Sequence, residues 1–142
     1  MTLNQAVRFN EAGAPDVMYL EYIEVGEPAA GQVRVRHVAV GLNYADTYFR
    51  DGTYKIALPN GMGVEAAGVV DAVGEGVSNV QVGDRVTYTG FINTLGAYST
   101  ARLVDANVLI KLPEGISCET AAAMTMRGLT SAYLMRRIYD FK

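Results

Sequence analysis

The side chains most often used in acid–base and metal chemistry are scarce in this chain. His37 is the only histidine and Cys118 the only cysteine among 142 residues. They cannot form a zinc site of several Cys or His ligands, and any histidine-based catalysis would depend on one position. His37 shares a predicted strand face with Val33 and Val35, which favours a core or rim histidine over a catalyst. Cys118 stands near a predicted helix start, where its pKa can fall, but without a partner it is interpreted as structural.

Two carboxylates and two tyrosines are the next candidates. Asp46 and Glu65 could form an acid–base pair, but nothing in their spacing shows that they meet, and we interpret both as structural. Tyr48 and Tyr54 lie in a segment of mixed polar and aromatic residues. A tyrosine hydroxyl donates a hydrogen bond across the physiological pH range, and its ring stacks on flat molecules. From the sequence alone, amphipathic packing at a rim is the more frequent explanation for such tyrosines.

The glycines of Gly61–Ala66 fit the loose dinucleotide-binding pattern Gly-x-Gly-x-x-Gly/Ala. A functional fingerprint follows a strand and opens a helix. Here the glycines follow Leu58-Pro59-Asn60 and precede a Val-rich segment. Turn and close-packing glycines are therefore the better interpretation.

A longer ordered pattern is more specific. It resembles the signature of zinc-containing alcohol dehydrogenases at Gly63, Val64, Glu65, Gly68, Gly74 and Val77. Val64 stands where that signature has a zinc-ligating histidine, and Asn43 stands where those enzymes have a zinc-ligating cysteine. Without either ligand, the Lewis-acid route to polarising an alcohol or a carbonyl lacks its metal.

This double replacement, together with the segment from Asn43 to Tyr54, resembles the zinc-free quinone oxidoreductase branch of the medium-chain dehydrogenase/reductase superfamily, which is similar to zeta-crystallin. Further matches follow in the same order as in that family: Gly83-Asp84-Arg85-Val86, Gly96-Ala97-Tyr98, Leu112-Pro113 and Arg127-Gly128-Leu129-Thr130. The resemblance implies a mainly β fold with helices, a GroES-like partly open β barrel followed by the first helix leading to a Rossmann domain absent from this chain. It divides the chain into a substrate-side domain, 1–125, and a linking helix, 126–142.

The resemblance also implies a function. The complete enzyme is expected to reduce a small-molecule quinone by hydride transfer from NADPH without zinc, with the cofactor bound mostly by the Rossmann domain. Tyr48 and Tyr54 are implied to bind the substrate, and Asn43, Tyr54 and Thr130 to contact the cofactor; no residue of this chain is implied to be catalytic. The protein is then required to align two rings and donate hydrogen bonds. We expect this chain alone to bind NADPH weakly and to show little activity.

Two alternatives stay open. Related zinc-free reductases act on enones or enoyl thioesters, and this half of the fold does not separate their substrates from quinones. The chain could also be a non-catalytic GroES-like binding or interaction module that keeps only the scaffold.

The elements that must position these residues follow from alternation and turn signals. The sequence predicts strands at Gln5–Phe9, Val17–Val25, Gln32–Val40, Val64–Val73, Arg85–Thr89 and Ala97–Val104. The first two can pair as a hairpin. Asn43–Asp51 is predicted to be a helical turn or an ordered loop closed by Gly52. Ser117 is the predicted N-cap of a helix that Gly128 interrupts and Leu129–Ile138 resumes.

Composition and charge restrict the partners. Half of the residues are hydrophobic, and the net charge is −3 without a dense Lys/Arg run, so nucleic acid is not an expected partner. Residues 1–10 carry no apolar run of signal-peptide length, and no stretch is long enough to span a bilayer. We therefore expect a cytoplasmic protein without a membrane partner, and the resemblance leaves room for a homodimer. In the family, strands from the far carboxyl terminus complete the barrel, so we expect an uncovered sheet edge and exposed apolar surface.

Overall fold

The computed structural model of the chain describes residues 3–90 and 95–139. Over these residues the chain forms eight β-strands and two α-helices. The strands are β1 Asn4–Phe9, β2 Met18–Ile23, β3 Gln32–Gly41, β4 Asn60–Gly61, β5 Glu65–Val73, β6 Arg85–Thr89, β7 Ala101–Asp105 and β8 Ile110–Lys111. The helices are α1 Tyr44–Arg50 and α2 Cys118–Tyr133, and α2 continues into a π-helical turn at Leu134–Ile138. The last three residues of the predicted linking segment lie outside the described residues.

The strands form two antiparallel sheets that meet at one edge. The smaller sheet has the order β2-β1-β4 and the larger one β7-β3-β5-β6-β8. Ala6 and Ser99 form a bridge between them, and the N–H of Val7 donates to the carbonyl of Tyr98 at 2.8 Å. The mainly β, partly open architecture predicted from the sequence is confirmed, as is the hairpin of β1 and β2.

The main core lies on one face of the larger sheet. Val33 and Val35 are fully buried on β3, as the alternation predicts, and they pack with Val70, Val86 and Tyr88. Each fully buried valine contributes roughly 1.5–3 kcal/mol relative to an exposed one. This packing stabilises the arrangement of β3, β5 and β6, and helix α2 packs against these three strands.

Helix α2 covers the other face of the same strands. It begins as predicted, because the Ser117 hydroxyl oxygen accepts the N–H of Thr120 at 3.1 Å. Ala121 and Ala122 then pack with Ala67 of β5. The predicted interruption at Gly128 is wrong, since α2 runs through it to Tyr133. One glycine costs only about 1 kcal/mol relative to alanine, which flanking helix-forming residues can offset.

One predicted strand is shorter than expected. The sequence predicted Ala97–Val104, but the strand β7 begins only at Ala101. Gly96 has a φ of +115°, and the N–H of Ser99 turns back to the carbonyl of Ala97 at 2.7 Å. This local turn places residues 97–100 across the join of the two sheets instead of in a regular ladder.

Candidate functional site

Helix α1 starts at a residue that the sequence analysis assigned to the cofactor site. Asn43 is its N-cap, with extended backbone angles of φ −120° and ψ 146°. The backbone N–H of Asn43 donates to Oδ2 of Asp46 at 2.9 Å, and the N–H of Asp46 donates to the Asn43 carbonyl at 3.0 Å. This reciprocal capping satisfies backbone groups that a helix start leaves unpaired. The predicted helical turn is confirmed, and it places Asn43 at a fixed point of the fold.

The aromatic residues of α1 and the following turn form a continuous group of rings. The centroids of Tyr44 and Tyr48 are 5.4 Å apart, and those of Tyr48 and Tyr54 are 5.3 Å apart, both in edge-to-face arrangements. The ring centroids of Phe49 and Tyr54 are 5.3 Å apart, and Phe49 is itself buried. The N–H of Tyr54 donates to the carbonyl of Tyr48 at 2.8 Å. The structure therefore brings the two predicted substrate residues together, with Tyr54 39% exposed.

A buried carboxylate anchors the side chain of Asn43. Glu65, the first residue of β5, is 0% exposed. Its Oε2 accepts a hydrogen bond from Nδ2 of Asn43 at 2.8 Å, and its Oε1 accepts one from the backbone N–H of Met126 at 2.6 Å. Glu65 thus joins the start of α1 to the middle of α2.

Asp46 forms the other half of this polar network. Its Oδ2 accepts the Tyr98 hydroxyl at 2.7 Å as well as the N–H of Asn43. Burial raises the pKa of Asp46, and the two hydrogen bonds partly oppose that shift. Burial also raises the pKa of Tyr98, and the Asp46 carboxylate adds to the effect. Asp46 and Glu65 both bind Asn43, through its backbone and its side chain respectively, which supports a structural role for each.

The two positions that correspond to zinc ligands hold side chains that are poor ligands for zinc. Val64 is buried in an apolar cluster with Phe49 and Leu95. Asn43 uses its amide nitrogen as a donor to Glu65. Among residues 3–90 and 95–139, no group of three or more His, Cys, Asp or Glu side chains could hold a metal ion. An apolar side chain and a hydrogen-bond donor are poor partners for Zn²⁺, which binds thiolate, imidazole and carboxylate ligands.

The glycine pattern at Gly61–Ala66 has a structural role. Gly63 has a φ of +85°, and a Cβ there would collide with the ring of Tyr98. A strand, β5, follows at Glu65 where a dinucleotide-binding fingerprint needs a helix. The structure agrees with the interpretation of these residues as turn and packing glycines.

Thr130, the third residue assigned to the cofactor, lies on α2 and not in the aromatic group. It is exposed, and its hydroxyl donates to the carbonyl of Met126 at 2.8 Å. Because the N–H of Met126 binds Glu65, Thr130 is linked to Asn43 through one hydrogen-bonded path.

The remaining candidates have contacts typical of structural residues, with one correction. His37 is tightly hydrogen-bonded between Ser99 and Tyr88, as expected of a core or rim histidine. Burial raises the pKa of Cys118, so the fall considered for a helix start is wrong. On α2, Met126 packs against the Phe49 cluster, whereas Met124 is 57% exposed.

Sequence reasoning missed two contributors to the site. Tyr98 reaches Asp46 across 52 positions of sequence. Arg127 donates to the carbonyls of Ala123 and Leu42, both at 2.8 Å, and so ties α2 to the residue before Asn43. Both residues fall in motifs that carried the family resemblance, and that order was the only signal that could have indicated them.

Comparisons with known proteins extend this description. The sequence matches the alcohol dehydrogenase GroES-like domain family over residues 29–114. It is 44% identical over 137 residues to a quinone oxidoreductase of Salmonella typhimurium, covering 96% of this chain and 41% of that protein. It is 38% identical over 143 residues to a 2-haloacrylate reductase of a Burkholderia species, covering 96% and 42%.

A solved structure agrees with these sequence matches. The crystal structure of Escherichia coli quinone oxidoreductase complexed with NADPH matches with a TM-score of 0.93 at 40% identity, over 97% of this chain and 42% of that one. The chain therefore spans about two fifths of the length of the curated relatives it matches. Within the described residues, no helix is long and apolar enough to cross a membrane.

Proposed function

The chain belongs to the alcohol dehydrogenase GroES-like domain family, and on that premise we propose that it is the substrate-side part of an NADPH-dependent quinone oxidoreductase. The observation that carries the proposal is the 44% identity to a quinone oxidoreductase over 96% of the chain. The open aromatic group at Tyr44, Tyr48 and Tyr54 adds a chemical reason, because edge-to-face rings offer a surface for a flat, conjugated substrate.

In the proposed reaction, this chain binds and orients the reactants. Tyr48 and Tyr54 would contact the quinone, and a tyrosine hydroxyl would donate a hydrogen bond to the oxygen that gains negative charge. Asn43, Tyr54 and Thr130 would hold the nicotinamide end of the cofactor. Their amide, ring and hydroxyl groups fit a flat heteroaromatic ring that carries a carboxamide. When bound, NADPH supplies the hydride.

We propose that the reaction needs no zinc. The support is the chemistry of the two former ligand positions, since Val64 is packed among apolar side chains and Asn43 is bonded to Glu65. Stoichiometric zinc in a metal analysis of purified protein would contradict this part of the proposal.

The proposed arrangement of the whole protein has several parts. Residues 1–125 would form the substrate-side domain, and 126–142 would link it to a Rossmann domain that binds most of the cofactor. We also propose a cytoplasmic location and no nucleic-acid or membrane partner, and the proposal allows a homodimer. A single cysteine, Cys118, is compatible with a reducing compartment.

The first test is an NADPH-oxidation assay with a simple benzoquinone on the product of the full reading frame and on this 142-residue chain. Activity of the longer product that falls at least about tenfold in Tyr54→Ala, equivalent to ~1.4 kcal/mol of transition-state stabilisation, would support the proposal. Tyr19→Ala is the matched control, because Tyr19 is 40% exposed but lies on β2, outside the aromatic group. A longer product inert toward every acceptor would favour a non-catalytic binding module instead.

A second candidate is a reductase of activated alkenes. The 38% identity to 2-haloacrylate reductase favours it. Enone and haloacrylate acceptors run in parallel with the benzoquinone separate the two candidates, since the ratio of kcat/KM values reports which acceptor the site stabilises in the transition state.

A further inference from the structure

Glu65 is the one carboxylate of the site that is fully enclosed by other elements of the fold. Removing a carboxylate from water costs several kcal/mol, which must be offset by strong hydrogen bonds. Both of its oxygens have such bonds, from Asn43 Nδ2 at 2.8 Å and from Met126 N at 2.6 Å. Hydrogen bonds to charged acceptors are about twice as strong as neutral ones. The Glu65 carboxylate therefore holds the start of α1 and the middle of α2 in place.

The first bond fixes the orientation of the Asn43 amide. An amide group has a donor end and an acceptor end, and only the donor end can bond to a carboxylate. Turning the amide over would face two acceptor oxygens toward each other at Glu65 Oε2. Asn43 is therefore held in one orientation at the N-cap of α1.

The second bond fixes the position of α2. Met126 donates to Glu65 through its backbone N–H and accepts the Thr130 hydroxyl with its carbonyl at 2.8 Å. A single path of hydrogen bonds consequently runs from Asn43 through Glu65 and Met126 to Thr130. These end points are the two residues proposed to contact the cofactor from different helices.

The fold leaves room for this carboxylate at one glycine. A Cβ at Gly41 would collide with Oε2 of Glu65 and with the carbonyl oxygen of Ala122 on α2. Gly41 is paired with Glu65 in the ladder of β3 and β5. The end of β3 is therefore shaped around the Glu65 side chain.

We propose that Glu65 is a positioning residue, which sets the orientation of Asn43 and its spacing from Thr130 and thereby preorganises the nicotinamide end of the cofactor site. This inference rests on the proposed function for the identity of the ligand. The hydrogen bonds of Glu65 do not depend on the proposed function, because they can be observed in the absence of any ligand.

The test uses the product of the full reading frame and two readouts. The change Glu65→Gln replaces one acceptor oxygen with an NH2 donor. The backbone N–H of Met126 can only donate and keeps the remaining oxygen, so the Asn43 amide must lose its bond or turn over to accept one. We expect the side-chain amide signals of Asn43 in ¹⁵N NMR spectra, assigned with Asn43→Ser, to move and to lose their protection from solvent exchange. We expect the KM for NADPH to rise about tenfold, which is ~1.4 kcal/mol, with a smaller change in kcat.

Thr125→Val is the matched control. The Thr125 hydroxyl joins α2 to Thr87 of β6 at 2.9 Å without touching Glu65, so its loss weakens the packing of the same helix. The Asn43 signals and the KM should not change in this variant. If Glu65→Gln does not fold, as judged by circular dichroism, Glu65→Asp serves instead, because its shorter side chain cannot reach both donors.

The outcomes separate the two proposals. Unchanged Asn43 signals in a folded Glu65 variant would overturn the positioning role, as would equal effects of the Glu65 and Thr125 changes on KM. A wild-type protein inert toward all acceptors would refute the proposed function, while the NMR readout would still decide whether Glu65 holds Asn43.

Discussion

At the scale of single residues, the ring of His37 shows how burial converts an ionisable group into a structural one. Its Nδ1 donates to the carbonyl of Ser99 at 2.7 Å, and its Nε2 lies 3.0 Å from the hydroxyl of Tyr88. A carbonyl can only accept, so the proton is on Nδ1 and Nε2 accepts from Tyr88. Burial lowers the pKa of His37 to about 4, and the charge of Arg102 contributes to that shift.

This pKa predicts an acid-sensitive contribution to stability. The folded-state pKa of about 4 lies below the reference value of 6.5, so the unfolded chain binds the proton first as the pH falls. The His37 contribution should be complete above pH 6.5 and decrease as the pH falls toward 4, by up to about 3 kcal/mol. Urea unfolding at pH 7 and at pH 4.5 measures it. His37→Gln lacks this titration, and an equal pH dependence in that variant would contradict the prediction.

Asp46 presents a different case, because only one of its oxygens is used. Oδ2 accepts from Tyr98 and from the N–H of Asn43, whereas Oδ1 is buried without a hydrogen-bond partner in the described part of the chain. Asp46→Asn keeps one acceptor and removes the buried charge. Its free energy of unfolding at pH 7 should stay within about 1 kcal/mol of the wild type, whereas Asp46→Ala should lose roughly 2 kcal/mol or more because two donors lose their acceptor.

The raised pKa of Asp46 also predicts how the stability difference between the wild type and Asp46→Asn changes with pH. Burial raises the pKa of Asp46, so the folded state holds the proton more strongly than the unfolded state does. The wild type should therefore gain stability relative to Asp46→Asn as the pH falls through the raised pKa. Denaturant titrations of the three proteins at several pH values measure this, and a gain of Asp46→Asn over the wild type on acidification would contradict it.

At the scale of elements, the contact between β3 and α2 depends on the absence of a side chain. A Cβ at Gly41 would overlap Glu65 and the backbone of Ala122, and a backbone carbonyl cannot move as a side chain tip can. Gly41→Ala should lower the free energy of unfolding by about 1–3 kcal/mol, as overpacking does in other cores. Gly26→Ala is the control, because a Cβ at Gly26 meets no atom within 4 Å. Thermal unfolding compares the two, and equal stabilities would show that α2 can shift freely.

The elements themselves could largely be predicted, because their signals are local. Alternation indicated β3, and the strand Arg85–Thr89 was predicted with its observed bounds. The Ser117 cap indicated the start of α2. The two errors, an interrupted α2 and a strand that starts at Ala97, both involve the backbone preferences of glycines. Gly128 is accommodated in a helix that packing and its neighbours support, and Gly96 turns the chain where alternation suggested a strand.

The site could be predicted only in part, because its bonds are not local. Asn43 and Glu65 are 22 positions apart, and no spacing rule indicates that an amide on a helix start will reach a carboxylate on a strand. Tyr48 and Tyr54 were assigned to the substrate site from the family resemblance, and only the folded structure shows that their rings contact each other. The link from Met126 to Glu65 uses a backbone N–H, which carries no signature in the residue type.

At the scale of the whole molecule, apolar surface is exposed on both sheets and on α2. Large hydrophobic side chains are exposed on β2, on β3, in the carboxyl-terminal half of α2 and in the π-helical turn that follows it: Leu20, Tyr22, Val38, Val40, Leu129, Tyr133 and Met135. Large exposed apolar side chains in such numbers are typical of places where further structure or another chain packs. It agrees with the expectation that part of the barrel surface is uncovered in this chain.

The placement of charge indicates how this chain should behave toward NADPH on its own. Phosphate groups bind well at helix N-termini, where backbone N–H groups are unpaired. At each helix start a side chain already accepts one backbone N–H, Asp46 that of Asn43 at α1 and Ser117 that of Thr120 at α2, and Glu119 lies in the first turn of α2. The net charge of −3 adds a further unfavourable contribution. The groups proposed to contact the cofactor serve its nicotinamide end, and the acidic side chains Asp46 and Glu119 in the first turns of the two helices oppose a phosphate there.

We therefore predict that the 142-residue chain binds NADPH at least about 100-fold more weakly than the product of the full reading frame, a difference of ~2.7 kcal/mol or more. Isothermal titration calorimetry of both proteins at 0.15 M salt measures it, with nicotinamide mononucleotide as a second ligand that keeps the ring and one phosphate. The loss should be smaller for the mononucleotide than for NADPH, because most of the missing contacts are to the rest of the cofactor. Comparable NADPH affinities for the two proteins, or robust quinone reduction by the short chain, would show that residues 1–142 hold the cofactor by themselves. The proposed separation into a substrate-side part and a cofactor-binding part would then be wrong.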